Sequence, residues 1–212
     1  LNRYLYLSGR VDLRAVEVTI QNLIIKGFDP GTANNPYRGF VYTSFQERAT
    51  KVSHQNVSKL ARAAGDETLQ LICNTIASDE ARHERAYTKF MGYLFEQDPT
   101  GALLAFRDVL QNQIVMPAQN MGGTGGPDLF EHFSAVAQRL GVYTAEHYAQ
   151  IVTHLVDRWR VESLAGLSGG AAAAQEYVCT LGPRYRRLAE RASRRVTPAP
   201  PQAFSWIFGR AA

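Results

Sequence analysis

An all-α fold, packed as a helical bundle, is what this sequence predicts, and three observations predict it. Apolar residues recur at steps of three and four through most of the chain, the mark of helices that bury one stripe. Short clusters rich in glycine, proline, asparagine and aspartate punctuate those stretches. Strand-like alternation is missing, except that Phe204-Ser205-Trp206-Ile207-Phe208 could form a short strand or an anchored extended arm. With 212 residues, 45% hydrophobic and 20% charged, the chain suits a single domain over 1–212 with a sizeable core. No apolar run is long enough to cross a bilayer, and no charged-then-apolar start resembles a secretion signal.

Taken in order, the elements are these. Arg10 to Lys26 carries Val11, Val16, Ile20, Leu23 and Ile24 at helical spacing, and Gly27 ends it as a C-terminal glycine should. Asp29-Pro30-Gly31-Thr32-Ala33-Asn34-Asn35-Pro36 is a loop dense in turn formers. A long helix runs from about Arg38 to Ala64, Gly65-Asp66 breaks and recaps the chain, and a second long helix runs to about Phe95. Asp98-Pro99-Thr100-Gly101 reads as the next turn, followed by an amphipathic segment ending near Pro117 and a mobile glycine-rich loop, Gly122 to Gly126. A short helix through Leu129, Phe133 and Leu140 stops at Gly141. Thr144 caps the next helix, which turns Tyr148, Ile151, Val152, Leu155 and Trp159 inward. The last helical region begins near Ser168 and bends or restarts at Pro183. The proline-rich start of the tail, from Pro198, argues against helix there.

Cys73 and Cys179 both fall in helical stretches and read as reduced thiols, pointing to a reducing compartment. The net charge of +4 is concentrated late, in Arg184, Arg186, Arg187, Arg191, Arg194 and Arg195. That face suits an acidic partner, nucleic acid or protein, or is simply solvated. The chain opens on Leu1 rather than methionine and reads as a piece of a longer protein.

The chemistry concentrates in the two long helices. Leu69, Ile72, Ile76, Glu80, His83, Tyr87, Phe90 and Leu94 form one stripe, and Phe40, Thr43, Glu47, Thr50, His54, Val57 and Ala61 form the other. Glu47, Glu80 and His83 are therefore expected on core-facing stripes, where unpaired carboxylates cost several kcal/mol and a shared positive partner relieves them. Residues three apart on a helix lie one turn along the same face, so Glu80 and His83 can reach one ion. Carboxylate and imidazole donors without thiolate favour iron or manganese over structural zinc. Carboxylate-bridged dimetal bundles take one Glu from each of two helices and Glu-x-x-His from each of two others, and this chain supplies half that set. Asp79 and Arg82 either hydrogen-bond to the ligands or pair with each other at the surface. Thr50 either presents its hydroxyl to the site or bonds a carbonyl of its own helix. His54 reads as a core histidine outside the site.

The strings Tyr42-Thr43-Ser44-Phe45-Gln46-Glu47-Arg48-Ala49-Thr50 and Ala77-Ser78-Asp79-Glu80-Ala81-Arg82-His83-Glu84 closely resemble the plant-type soluble acyl-acyl-carrier-protein desaturases. So do Asn2 to Asp12, Asn34 to Tyr37, Leu129 to Tyr143 and Phe204 to Phe208. The resemblance implies a ferritin-like bundle in which Glu47, Glu80 and His83 are ligands of two Fe ions, Asp79 and Arg82 support them, and Thr50 faces the oxygen side. It implies a substrate tunnel lined by Pro30, Thr32, Gly39, Phe40 and Phe130. It further implies dioxygen-dependent desaturation of an acyl chain on acyl carrier protein, in fatty acid biosynthesis, with electrons from ferredoxin. A homodimer in the plastid stroma is the expected setting, or the bacterial cytoplasm for similar proteins, with no role for nucleic acid or membrane. Arg187 and Arg191 would dock the acidic carrier and Glu131 would modulate that contact. The family's remaining ligands would lie upstream of Leu1, so the piece alone would be inactive. Two other readings are a ferroxidase or iron-storage bundle and a metal-free helical interaction module.

Overall fold

Helix ends fall where side chains satisfy free backbone groups. In the computed structural model, which describes residues 1–122, 129–193 and 206–208, the described residues form eight α-helices and no strand. They are α1 (Asn2–Ser8), α2 (Leu13–Lys26), α3 (Pro36–Ala63), α4 (Glu67–Gln97), α5 (Pro99–Gln111), α6 (Leu129–Arg139), α7 (Ala145–Arg158) and α8 (Ala171–Ser193). Asp12, Asn35, Asp66 and Asp98 accept the backbone N–H of Ala15, Arg38, Leu69 and Gly101 at 3.1, 3.2, 3.0 and 2.8 Å. Thr144 and His147 cap each other reciprocally at the head of α7. Each such cap is worth about 1 kcal/mol.

One expected turn is not a break, and the last helix does not restart at its proline. Asp98-Pro99-Thr100-Gly101 is the start of α5 rather than a free turn, because Pro99 sits in the first helical turn where its missing N–H has no partner to lose. A side chain on Gly101 would meet the Asp98 carboxylate at 2.2 Å, so glycine there lets the cap close. Pro183 lies inside α8, which continues through it. The α5 helix ends at Gln111, short of Pro117, which instead opens a short 3-10 turn, Pro117–Asn120.

The helices α3 and α4 form a hairpin turned at Gly65, whose φ of 73° is left-handed. On one side this pair packs against α5 and α7, and α8 packs in turn against those two. Phe45, Met91, Leu103, Phe106, Leu110, Ile151 and Leu155 are almost wholly buried there, each worth roughly 1.5–3 kcal/mol. Trp159 stands edge-on to Phe106 with ring centres 5.0 Å apart and donates its indole N–H to Thr88 O at 3.0 Å. Gly182 lets α8 approach α7, since a Cβ there would lie 2.3 Å from Thr153 Oγ1.

Within the expected short strand or extended arm, the described residues 206–208 make one antiparallel bridge, Val11 to Ile207. Asp12 N–H donates to Trp206 O at 2.8 Å and the Trp206 indole donates to Thr19 Oγ1 at 3.1 Å. Phe204, Ser205, Pro198, Arg194, Arg195 and Gly123 to Gly126 of the glycine-rich loop lie outside the described residues. No helix among the described residues is long and apolar enough to cross a membrane.

Candidate metal centre

The seam between α3 and α4 is built from small residues, and this shifts the buried stripe from where apolar spacing put it. The buried positions of α4 are Cys73, Ala77, Glu84, Thr88, Met91 and Phe95, one residue on from the expected Ile72, Ile76, His83, Tyr87, Phe90 and Leu94. In α3, Val41, Tyr42, Ser44, Phe45, Ala49, Ser58 and Ala61 are buried, and of the expected stripe only Ala61 is among them. Alanine, serine and cysteine at the seam let the backbones approach closely. The larger apolar side chains consequently form a shoulder on the pair, and Phe90 there is 46% exposed. Both cysteines are free thiols, Cys73 buried and Cys179 partly so.

Glu47, Glu80 and His83 meet on that shoulder. Their donor atoms all lie within 4.8 Å of one another, a group that could hold a metal ion. His83 Nδ1 stands 3.2 Å from Glu47 Oε2 and 3.0 Å from Glu80 Oε2. The two carboxylates are sheltered, with side chains 16% and 19% exposed, but His83 is at 55%. The expectation that all three point into the core is therefore corrected for His83, which sits on the lip because the shoulder, not the seam, carries the site.

The electrostatics match a carboxylate pair in want of a cation. Burial, then the Glu80 carboxylate, raise Glu47 to about 7. Burial also works to raise Glu80, but hydrogen bonds from Glu47, His83 and Thr50 outweigh it and its pKa falls below the usual range. The Glu80 and Glu47 carboxylates together raise His83. Glu47 and His83 both hold protons more tightly than usual while Glu80 favours its charged form, a pattern that a bound cation would reverse at Glu47. Oxygen and nitrogen donors without thiolate suit iron or manganese.

The neighbouring residues behave more locally than the ligand-orienting role required. Arg82 pairs with Asp79 on the exposed face of α4, so the surface-pair alternative describes them among the described residues. Thr50 Oγ1 donates within α3, to Glu47 O at 3.0 Å and Gln46 O at 3.2 Å, while lying near enough to Glu80 to stabilise its charge. His54 is half-buried, and burial lowers its pKa. Pro30 and Thr32 lie in the loop before α3, Gly39 and Phe40 in the first turns of α3, and Phe130 at the head of α6, all partly buried. Phe40 stacks loosely with Phe90 and Tyr87, at 5.6 and 6.4 Å, and the space where Gly39 would carry a Cβ is open.

Sequence reading missed Glu84. It is buried, and its carboxylate takes Arg48 at 2.6 Å, Lys51 at shorter range and His154 of α7 at 3.3 Å. Burial works to raise its pKa, but His154, Lys51 and Arg48 outweigh that and hold it at about 2. The signal was available in register: Glu84 continues the stripe Ala77, Thr88, Met91, Phe95 at helical spacing.

Comparison with known proteins follows the same residues. A family model described as fatty acid desaturase matches residues 1–208. The chain is 60% identical over 210 residues, 99% of its length, to the chloroplastic stearoyl-[acyl-carrier-protein] 9-desaturase of Spinacia oleracea, covering 53% of that protein. It is 59% identical, again over 99% of its length, to the enzyme of the same name from Olea europaea, covering 54% of it. To the chloroplastic acyl-[acyl-carrier-protein] desaturase of Cucumis sativus it is 58% identical over 99% of its length and covers 53%. The chain thus spans about half the length of the curated relatives it matches. With a family model matching residues 1–208 and sequence identity this high along its whole length, this chain belongs to the fatty acid desaturase family, whose bundle is ferritin-like.

Proposed function

We propose that this chain forms part of an acyl-acyl-carrier-protein desaturase that introduces a cis double bond into a saturated chain, stearoyl by preference, with dioxygen as oxidant. The observation that carries the reading is the convergence of Glu47, Glu80 and His83 on the α3–α4 shoulder. These residues would hold iron, and a two-iron centre takes further glutamate and histidine ligands of the same kind from other helices. When bound, such a centre supplies the oxidising power that unactivated methylenes demand, which no side-chain acid or base can reach.

The chain's own residues do the positioning. Glu47 and Glu80 bring negative charge to a sheltered place, and His83 adds a neutral donor once its proton leaves. Gly39 leaves open space beside Phe40, consistent with an acyl chain passing there along Pro30, Thr32 and Phe130. Where that path sets the chain relative to the donors fixes which carbons react, a proximity effect. Asp79 and Arg82 flank the cluster, and Thr50 presents a hydroxyl at its edge. Electrons come singly from a carrier such as ferredoxin, the exposed Arg187 and Arg191 of α8 meet the acidic acyl carrier protein, and the working unit is a homodimer in the plastid stroma.

The test uses protein from the complete coding sequence. Iron analysis should give about two irons per chain, and stearoyl-carrier protein with reduced ferredoxin should yield oleoyl chains, lost in Glu80→Ala and His83→Ala. Charge reversal at Arg187 and Arg191 should raise the apparent Michaelis constant for the carrier-bound substrate. Iron-loaded protein that returns only saturated chains would sink the desaturase reading.

A further inference from the structure

The Glu84 cluster is built from the immediate neighbours of Glu47, Glu80 and His83. Glu84 follows His83, and Arg48 follows Glu47 with Lys51 one turn further along. Glu84 stands four residues past Glu80 and Lys51 four past Glu47, so the two groups occupy adjoining faces, one reaching the surface at His83 and the other enclosed against α7 at His154. The buried residues of the two helices nearby include Ser58, Ala61, Cys73 and Ala77, all small. Small side chains permit close approach but interdigitate little, and offer weak resistance to one helix rolling against the other.

We propose that Glu84 is a positioning residue whose contacts with Arg48, Lys51 and His154 fix the roll and register of α4 on α3 at which Glu47, Glu80 and His83 converge. The geometry supports this in three ways. Both carboxylate oxygens are used, Oε1 by Arg48 at 2.6 Å and by His154 at 3.3 Å, and Oε2 by Lys51. That engagement defines an orientation as well as a distance. The side chain is only 7% exposed, so water cannot replace a lost partner and every alternative roll leaves a buried charge uncompensated. His154 extends the tie to α7, referencing the site's two helices to the main core. A buried ionic group used as a register device is a recognised role for such groups.

The proposal rests on the reading of Glu47, Glu80 and His83 as metal donors, and the experiment separates the two. The full chain, with both cysteines replaced by alanine, carries spin labels at the exposed positions Gln55 and Arg85, and the interlabel distance distribution is measured with and without Glu84→Gln. The unlabelled chain is titrated with Co(II) and followed by its visible absorption. In Glu84→Gln the distance distribution should broaden or shift while far-UV circular dichroism is retained, and Co(II) affinity should fall about tenfold or more. An unchanged distribution overturns the proposal, even if Co(II) binding weakens. If the parent chain takes no Co(II), the metal reading fails and the distances alone decide whether Glu84 sets the register. If Glu84→Gln loses its helical signal, His154→Gln, which removes a single arm, is judged by the same two outcomes.

Discussion

Arg48 and Glu84 meet at 2.6 Å across the α3–α4 seam, each adjacent in sequence to a member of the candidate metal cluster on its own helix. The pair ties a buried carboxylate to stability, and its pH dependence has a definite sign. Glu84 is depressed from 4.5 to about 2, so its contribution is fully present above 4.5 and is lost as pH falls toward 2. The chain should lose on the order of 2 kcal/mol from this group on acidification. Urea unfolding at pH 6 and at pH 3 should show that loss in the parent chain and a smaller one in Glu84→Gln, which starts from lower stability.

Glu47 carries the opposite sign. Its carboxyl is raised to about 7, so the folded chain holds the proton more tightly than the unfolded one, and this contribution fades as pH rises from 4.5 through 7. A metal ion must displace that proton. Affinity for Mn(II) or Co(II) should therefore rise with pH, by more than about tenfold per unit well below 7 because His83 must lose its proton as well, and flatten once both groups are deprotonated. Calorimetric titrations at pH 6, 7 and 8 check this, and Glu47→Gln should bind weakly with a flatter slope.

Gly182→Ala pits helix propensity against packing. Alanine gains up to about 1 kcal/mol over glycine inside a helix, yet the new methyl would sit 2.3 Å from Thr153 Oγ1 and 3.5 Å from the Thr153 backbone. Overpacking of that kind costs typically 1–3 kcal/mol, so a lower thermal midpoint is expected. Thr153→Ala in the same chain should recover part of it, because the nearest clash is with the hydroxyl. Additive effects in the double-mutant cycle would contradict close α7–α8 contact.

Much of this architecture was legible in the residues. Gly27, Gly65-Asp66, Gly141 and Thr144 mark helix ends because their backbone or capping roles are local. The convergence of Glu47, Glu80 and His83 was legible too, through spacing on two adjoining helices. The depth of the site was not. Counting large apolar residues located the shoulder, whereas the buried positions of the two helices include the small residues Ala49, Ser58, Ala61, Cys73 and Ala77, whose smallness matters more than their hydropathy. At Pro183 the alternative of a restart does not hold, since α8 runs on through the proline while packed along α5 and α7. Glu84 was overlooked because a charged residue beside other charged residues reads as solvated, although its register with Ala77, Thr88, Met91 and Phe95 carried the signal that its meeting with α7 bears out.

The bridge from Val11 to Ile207 joins residues at nearly opposite ends of the sequence. Loop closure over such a span is entropically disfavoured until the intervening chain has condensed, whereas the α3–α4 hairpin forms from neighbours. Docking of the arm is thus the last event of assembly, and the Trp206 indole, hydrogen-bonded to Thr19 and set against Phe133 at 5.9 Å, is its natural reporter. In stopped-flow refolding, with Trp159 replaced by phenylalanine, emission from that arm should lag behind the recovery of ellipticity.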